Sequence, residues 1–221
     1  MVEIIAEVAN AHEGDSKRAI NIAISASKAG AHAVKFQIYF GPDLLTEDHP
    51  RYDHFCRQSF SHEEWHLVIS TVKNAGVKVY ADVFGIEALN VALECKVDGL
   101  KIHSSDLSNT HLTQACARSE LPIFLAVGGS TTREITDAIC DIREINQHNR
   151  IILLLGYQAY PTKIESHYLS KINMLTEHFE KEVEYGFMDH TDGDINEALT
   201  LPGLAIALGC SFIEKHVTDN R

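Results

Sequence analysis

The chain has few features of a secreted or disulfide-held protein. Its five cysteines, Cys56, Cys95, Cys116, Cys140 and Cys210, are odd in number, scattered, and form no C-x-x-C pair. That pattern argues against a disulfide framework and reads as free thiols, mostly on helices, in a reducing cytoplasm. Positive charge is also scarce. A formal net charge of -12 argues against non-specific binding to nucleic acid or an anionic membrane, which needs a basic field. It does not exclude a small anion held in a locally basic pocket. No apolar run reaches membrane-spanning length, and Met1-Val2-Glu3-Ile4-Ile5 carries no basic leader, so neither export nor insertion is implied. No G-x-G-x-x-G follows any strand-like run, which weakens an open dinucleotide-binding sheet.

What the chain does have is alternation. Its 221 residues, 45% apolar and 23% charged, suffice for one large domain with a well-buried core. Eight short apolar runs read as strands: Glu3–Ala9, Ala33–Ile38, Val77–Phe84, Gly99–Ser104, Ile123–Gly128, Ile151–Gly156, Tyr185–Asp189 and Ser211–Val217. Seven longer amphipathic segments lie between them: Ser16–Ala29, His62–Ala75, Ile86–Cys95, Ser108–Ala117, Thr132–Asn146, Glu165–Phe179 and Ile195–Leu208. Gly30, Gly76 and Gly209 stand where helix-ending glycines stand. Strict alternation predicts an α/β protein of the (β/α)8 TIM-barrel type, a single domain over residues 1–221, truncated before its eighth helix.

In such a barrel the working residues sit at the C-terminal ends of the strands. Those ends read Glu7, Lys35 with Gln37, Asp82, Lys101 with His103 and Ser104, Gly128, Gln158 with Tyr160, Asp189 with His190, and Glu214 with His216. Two of them, Asp189-His190-Thr191 and Glu214-Lys215-His216, put histidines on neighbouring strands. Neutral imidazoles so placed are half of a divalent metal site. Glu214 and His216 are two apart, so on a strand they face the same side. Lys35 and Lys101 interrupt otherwise apolar strands. Inside a barrel a lysine needs an anion, and two of them beside the histidines would form a phosphate or carboxylate pocket.

His62-Glu63-Glu64-Trp65-His66 matches the zinc-protease pattern H-E-x-x-H. Helix-start chemistry accounts for it better. Ser61 and Glu64 have the spacing of a capping box, and Trp65, Val68, Ile69 and Val72 form an apolar stripe. Thr131 and Glu134 repeat that arrangement after the fifth strand.

The motifs taken together resemble the sialic acid synthase (N-acetylneuraminate synthase) family over the whole length. The matching stretches are Ile4–Gly14, Ala33–Gln37, Gln158–Thr162, Asp189–Thr191 and Ile213–Thr218, in that order. The resemblance implies a (β/α)8 barrel that condenses phosphoenolpyruvate with an N-acyl hexose using a divalent metal, Mn2+ or Mg2+. It implies His190 and His216 as metal ligands, and Glu7 beside the sugar near the reacting centre. Lys35 and Lys101 would hold phosphoenolpyruvate, with Ser104 beside them. Gln37, Gln158 and Tyr160 would line the sugar site. Asp106 stands where the family often has a glutamate proposed for proton transfer. In such chemistry the carboxylates at Glu7 and Asp106 stabilise positive charge at C2 and take a proton from water.

The chain departs from the family at three hydroxyl donors towards phosphate, where it has Asp82, Ala126 and Met188. Charge-assisted hydrogen bonds are worth roughly 1.5–3 kcal/mol each, so phosphoenolpyruvate binding is expected to be weakened. The chain also stops before the family's small C-terminal antifreeze-like domain, which reaches across a homodimer to supply an arginine. The leading expectation is a cytoplasmic nonulosonic acid synthase. The alternatives are a metal-dependent aldol-type barrel enzyme on another sugar, and a non-catalytic barrel that binds a sugar or metal.

Overall fold

A parallel strand in a barrel is buried on both faces, which is why its sequence reads as a nearly unbroken apolar run. Ile123–Ala126 and Ile151–Leu155 are such runs. In the computed structural model, which describes residues 1–180 and 182–220, eight strands pair in sequence order into a closed barrel. They are β1 (Glu3–Glu7), β2 (Ala33–Ile38), β3 (Lys78–Val83), β4 (Gly99–Ile102), β5 (Ile123–Ala126), β6 (Ile151–Leu155), β7 (Glu184–Asp189) and β8 (Phe212–His216). All neighbours are parallel, and β8 closes onto β1 with Glu214 beside Ile5 and His216 beside Glu7.

The helices that follow β1 and β2 are α1 (Ser16–Lys28), α2 (Gly41–Leu44), α3 (Tyr52–Gln58) and α4 (His62–Asn74). After β3 to β7 come α5 (Ile86–Glu94), α6 (Thr110–Ala117), α7 (Thr132–Ile145), α8 (Lys171–Phe179) and α9 (Glu197–Ala207). No helix follows β8 among the described residues. None of the described helices is long and apolar enough to cross a membrane.

Local chemistry sets the helix ends. Ser61 with Glu64 and Thr131 with Glu134 form the two reciprocal capping boxes expected from their spacing. In α7 the buried Ile135, Ala138, Ile139 and Ile142 recur every three or four residues, and this stripe faces the sheet. Gly30, Gly76 and Gly209 have φ of +106°, +82° and +105°, the left-handed turn that ends α1, α4 and α9.

Two segments depart from the sequence expectation. The helix expected over Glu165–Phe179 is split into a 3-10 turn at Ile164–Ser166 and then α8, because Tyr168 takes φ +46° and breaks the helical path. The short helices α2 and α3, in the long connection after β2, were not expected, because neither is long enough to show an amphipathic period. Most strands are shorter than read by one or two residues at an end.

The core has two layers. A large cluster fills the space between strands and helices. A smaller one, including Ile5, Tyr80, Phe124, Leu154, Met188 and Phe212, fills the barrel interior. Ala126 and Met188 belong to this inner plug and are fully buried. The plug closes the barrel from below and leaves its C-terminal mouth as the place for chemistry.

Candidate active site

Charged groups begin where the apolar plug ends. Side chains two apart on a strand share a face, so Glu7 and Lys35, paired in register between β1 and β2, both project inward. Asp82 and Lys101, paired between β3 and β4, do the same. Glu214 joins them from β8. These five residues are each at most 3% exposed and form one ion cluster. The Lys35 ammonium lies 2.5 Å from Glu7 Oε2, 2.6 Å from Glu214 Oε2 and 3.7 Å from Asp82 Oδ2. The Lys101 ammonium lies 3.0 Å from Glu214 Oε1 and 3.1 Å from Asp82 Oδ2.

Two lysines thus face three carboxylates, and the protonation states follow from that imbalance. Burial raises the Glu214 carboxyl, but Lys101 and Lys35 outweigh it and hold the group well below the ordinary carboxylate range. Burial would lower Lys101, but Asp82 and Glu214 overcome it and raise the ammonium above its usual value. Glu7 is the group left over. Burial, only partly offset by Lys35, pushes its carboxyl up to about 7. One oxygen of Glu7 also accepts the Ala9 N–H at 2.9 Å. The barrel mouth therefore holds a carboxyl that exchanges its proton near neutral pH, the requirement for a general acid or base.

Above the cluster stand His190 and His216. Their ring centroids are 5.2 Å apart at an interplanar angle of 64°, and the Tyr160 ring lies 4.8 Å from His216 and 6.0 Å from His190. His190 Nδ1 donates to the Tyr157 carbonyl at 2.7 Å. A carbonyl only accepts, so this bond puts the hydrogen on Nδ1 and leaves Nε2 with its lone pair. Desolvation keeps both rings neutral. It lowers His190, and together with its neighbour His190 it lowers His216 to about 3. The pair fits a divalent ion. Imidazole nitrogens ligate at roughly 2.0–2.1 Å, which puts each centroid about 3 Å from the ion and the two centroids about 5 Å apart. Among the described residues no group of three or more His, Cys, Asp or Glu side chains is arranged to hold a metal.

A cavity of about 190 Å³ lies at this point, lined by Glu7, Gln37, Lys101, His103, Gln158, Ala159, Tyr160, His190, Glu214 and His216. It adjoins a groove of about 910 Å³ that shares Gln37, Tyr160 and His216 and adds Asn10, Arg51, Asp192 and Thr218 among others. Glycines make room for the mouth. A Cβ on Gly128, just beyond β5, would lie 1.7 Å from the Gly156 carbonyl oxygen, so only glycine lets the ends of β5 and β6 approach this closely.

Seven of the ten residues singled out from the sequence meet at this cavity: Glu7, Lys101, Gln37, Gln158, Tyr160, His190 and His216. Lys35 does not line it but lies beneath, bonded to Glu7 and Glu214. Ser104 and Asp106 form a one-turn 3-10 helix after β4 and line neither cavity. The Asp106 carboxylate accepts from Ser105 Oγ and Asn109 Nδ2. Both lysines of the expected anion pocket face inward and carry carboxylate partners, so an anion there would compete with Glu214 and Asp82. Asp82 neutralises them from within. Glu214 and His103, named among the strand ends but given no role there, also join the site. The spacing of Glu214 from His216 was the available signal for the first. For the second it was only a position at the end of β4. His62 and His66 pair on the surface with Glu87 and Glu94 of α5, away from this site.

Known proteins share this architecture and much of the sequence. A family model described as the NeuB family matches residues 22–221. An uncharacterized protein of Methanocaldococcus jannaschii is 31% identical over 215 residues, covering 97% of this chain and 61% of that protein. A pseudaminic acid synthase of Campylobacter jejuni is 30% identical over 230 residues, covering 97% of this chain and 64% of that enzyme. The crystal structure of an N-acetylneuraminic acid synthetase from Leptospira borgpetersenii, in complex with citrate, superimposes with a TM-score of 0.89 at 31% identity. That match covers 98% of this chain and 73% of the other. The chain spans less than two thirds of the length of the two sequence relatives.

Proposed function

The chain belongs to the NeuB family, and we propose that it is a nonulosonic (sialic) acid synthase-like enzyme that condenses phosphoenolpyruvate with an N-acyl hexose at a divalent metal, Mn2+ or Mg2+. The observation that carries this reading is the juxtaposition at the barrel mouth. Two neutral imidazoles, one with its tautomer locked, stand directly over a buried carboxyl that titrates near 7.

His190 and His216 would hold the ion, which when bound supplies Lewis acidity to the aldehyde oxygen of the open-chain sugar. Gln37, Gln158 and Tyr160 line the cavity at its junction with the groove and offer hydrogen bonds and a ring face to sugar hydroxyls and carbons. Lys101 lines the cavity and Lys35 backs it, so they are the cations available to the carboxylate and phosphate. In the reaction C3 of phosphoenolpyruvate bonds to the aldehyde carbon, and positive charge develops at C2. Water adds there, and phosphate leaves by C–O cleavage. Glu7 faces that charge as the carboxylate and takes the proton that the attacking water releases. Its position near 7 lets it accept and return a proton in each turnover.

One observation favours a second reading. Asp82 lies within 3.1 Å of Lys101 and 3.7 Å of Lys35 and so opposes a phosphate on either. A metal-dependent aldol-type reaction, with a donor of smaller negative charge and another sugar, satisfies the same histidines and Glu7. A phosphate-release assay with phosphoenolpyruvate, Mn2+ and a panel of N-acyl hexoses decides between them. Sugar-dependent release of one phosphate per aldehyde consumed is expected. No release, with pyruvate consumed when it replaces phosphoenolpyruvate in a parallel assay, would favour the second reading. Binding of sugar without turnover of either donor would make the barrel non-catalytic.

A further inference from the structure

His190 stands at the very end of β7, where the ladder no longer holds its ring. Its orientation depends on the Tyr157 carbonyl, and Tyr157 opens the connection from β6 to α8. That connection has no regular element until the 3-10 turn at Ile164–Ser166, so its position is set by what it docks against. It docks on the end of β7. The Thr162 N–H donates to the His190 carbonyl at 2.7 Å, and Thr162 and Thr191 form an isolated parallel bridge. Thr191 Oγ1 lies 3.0 Å from His167 Nε2. His167 is 3% exposed, with its ring edge-on to Phe187 at a centroid distance of 5.6 Å. The chemistry proposed above makes no use of a histidine here. An apolar side chain would fill the same space without burying a polar ring.

We propose that His167 is a positioning residue for His190. Its hydrogen bond to Thr191 clamps the connection after β6 onto the end of β7, and so keeps the Tyr157 carbonyl where it locks His190 with Nε2 toward the ion. The inference rests on the metal reading of His190. Outer partners of ligating histidines act in this way, by fixing the tautomer and ring direction.

Two readouts separate the two claims. One is Mn2+ titration by calorimetry. The other is the 15N shift pattern of the His190 ring in metal-free protein, which reports the tautomer directly. In wild type the ring is expected in the Nδ1–H form. His167→Phe and Thr191→Val should each raise the Mn2+ dissociation constant about tenfold or more, within the roughly 10–100-fold range seen for such partners, and should mix the His190 tautomers. The double variant should be no worse than either single one, since both remove the same bond. His167→Gln, whose amide can donate to or accept from the Thr191 hydroxyl, should restore affinity to within about threefold of wild type. Wild-type affinity and wild-type ring shifts in His167→Phe would overturn the proposal. So would equal losses in His167→Gln and His167→Phe, because packing alone would then explain them. Wild type that binds no Mn2+ refutes the metal reading, and the ring shifts then decide the clamp by themselves. If His167→Phe does not fold, Thr191→Val carries the test.

Discussion

Replacing Asp82 by threonine and Met188 by serine should tighten phosphoenolpyruvate binding. The cluster beneath the mouth has two ammonium groups and three carboxylates, so it carries one excess negative charge whenever Glu7 is ionised. Phosphoenolpyruvate brings several more. At an effective dielectric constant of about 20 and a separation of about 5 Å, each pair of unit charges costs roughly 3 kcal/mol. Removing the Asp82 charge therefore relieves a large repulsion and frees part of Lys101 and Lys35 for the ligand. The two new hydroxyls add donors worth about 0.5–1.5 kcal/mol each. Recovering even about 1.4 kcal/mol of this tightens binding tenfold. The variant will be less stable, because a buried ion pair is broken, so its melting temperature must be recorded alongside. Asp82→Asn isolates the charge from the donors. Calorimetry with phosphoenolpyruvate above pH 7 measures the effect. If the folded double variant binds no tighter than wild type, or binds less tightly, the donor does not rest on Lys35 and Lys101, and the aldol-type reading becomes the better one.

Two further outcomes are expected. The Glu7 carboxyl sits at about 7 against an ordinary 4.5, so the native state keeps a proton that the unfolded chain releases. The stabilisation is complete below about pH 4.5 and is lost as pH rises through 7. Glu7→Gln should accordingly gain on wild type across that window, by on the order of 3 kcal/mol above pH 7 in denaturant unfolding, and a constant offset at all pH values would contradict the assignment. His190→Ala with His216→Ala should abolish Mn2+ binding in a titration, whereas His62→Ala with His66→Ala should leave it unchanged. The reverse pattern would move the metal to α4.

The barrel was legible because its causes are local. Eight apolar runs alternating with amphipathic stripes, two capping boxes and three helix-ending glycines are each written within a few residues, and alternation leaves little choice of topology. The inward direction of Glu7, Lys35, Lys101 and Glu214 was equally local, since spacing by two on a strand decides which face a residue shares. What those side chains do to one another was not written locally. Lys35 meets Glu214 across 179 positions of chain and Lys101 meets it across 113. Only closure of β8 onto β1 brings three carboxylates and two ammoniums into one dry volume. That closure gave both ammoniums carboxylate partners, and it raised Glu7 to about 7. The partners of Asp106 were hidden for a related reason: its place next to β4 in the chain did not reveal that its carboxylate accepts from Ser105 and Asn109 in the following turn. The tautomer of His190 likewise depends on a backbone carbonyl 33 residues away. Residue types and periods set the scaffold and its inward faces. The protonation states, which decide the chemistry, depend on burial and on partners that come together only when the barrel closes.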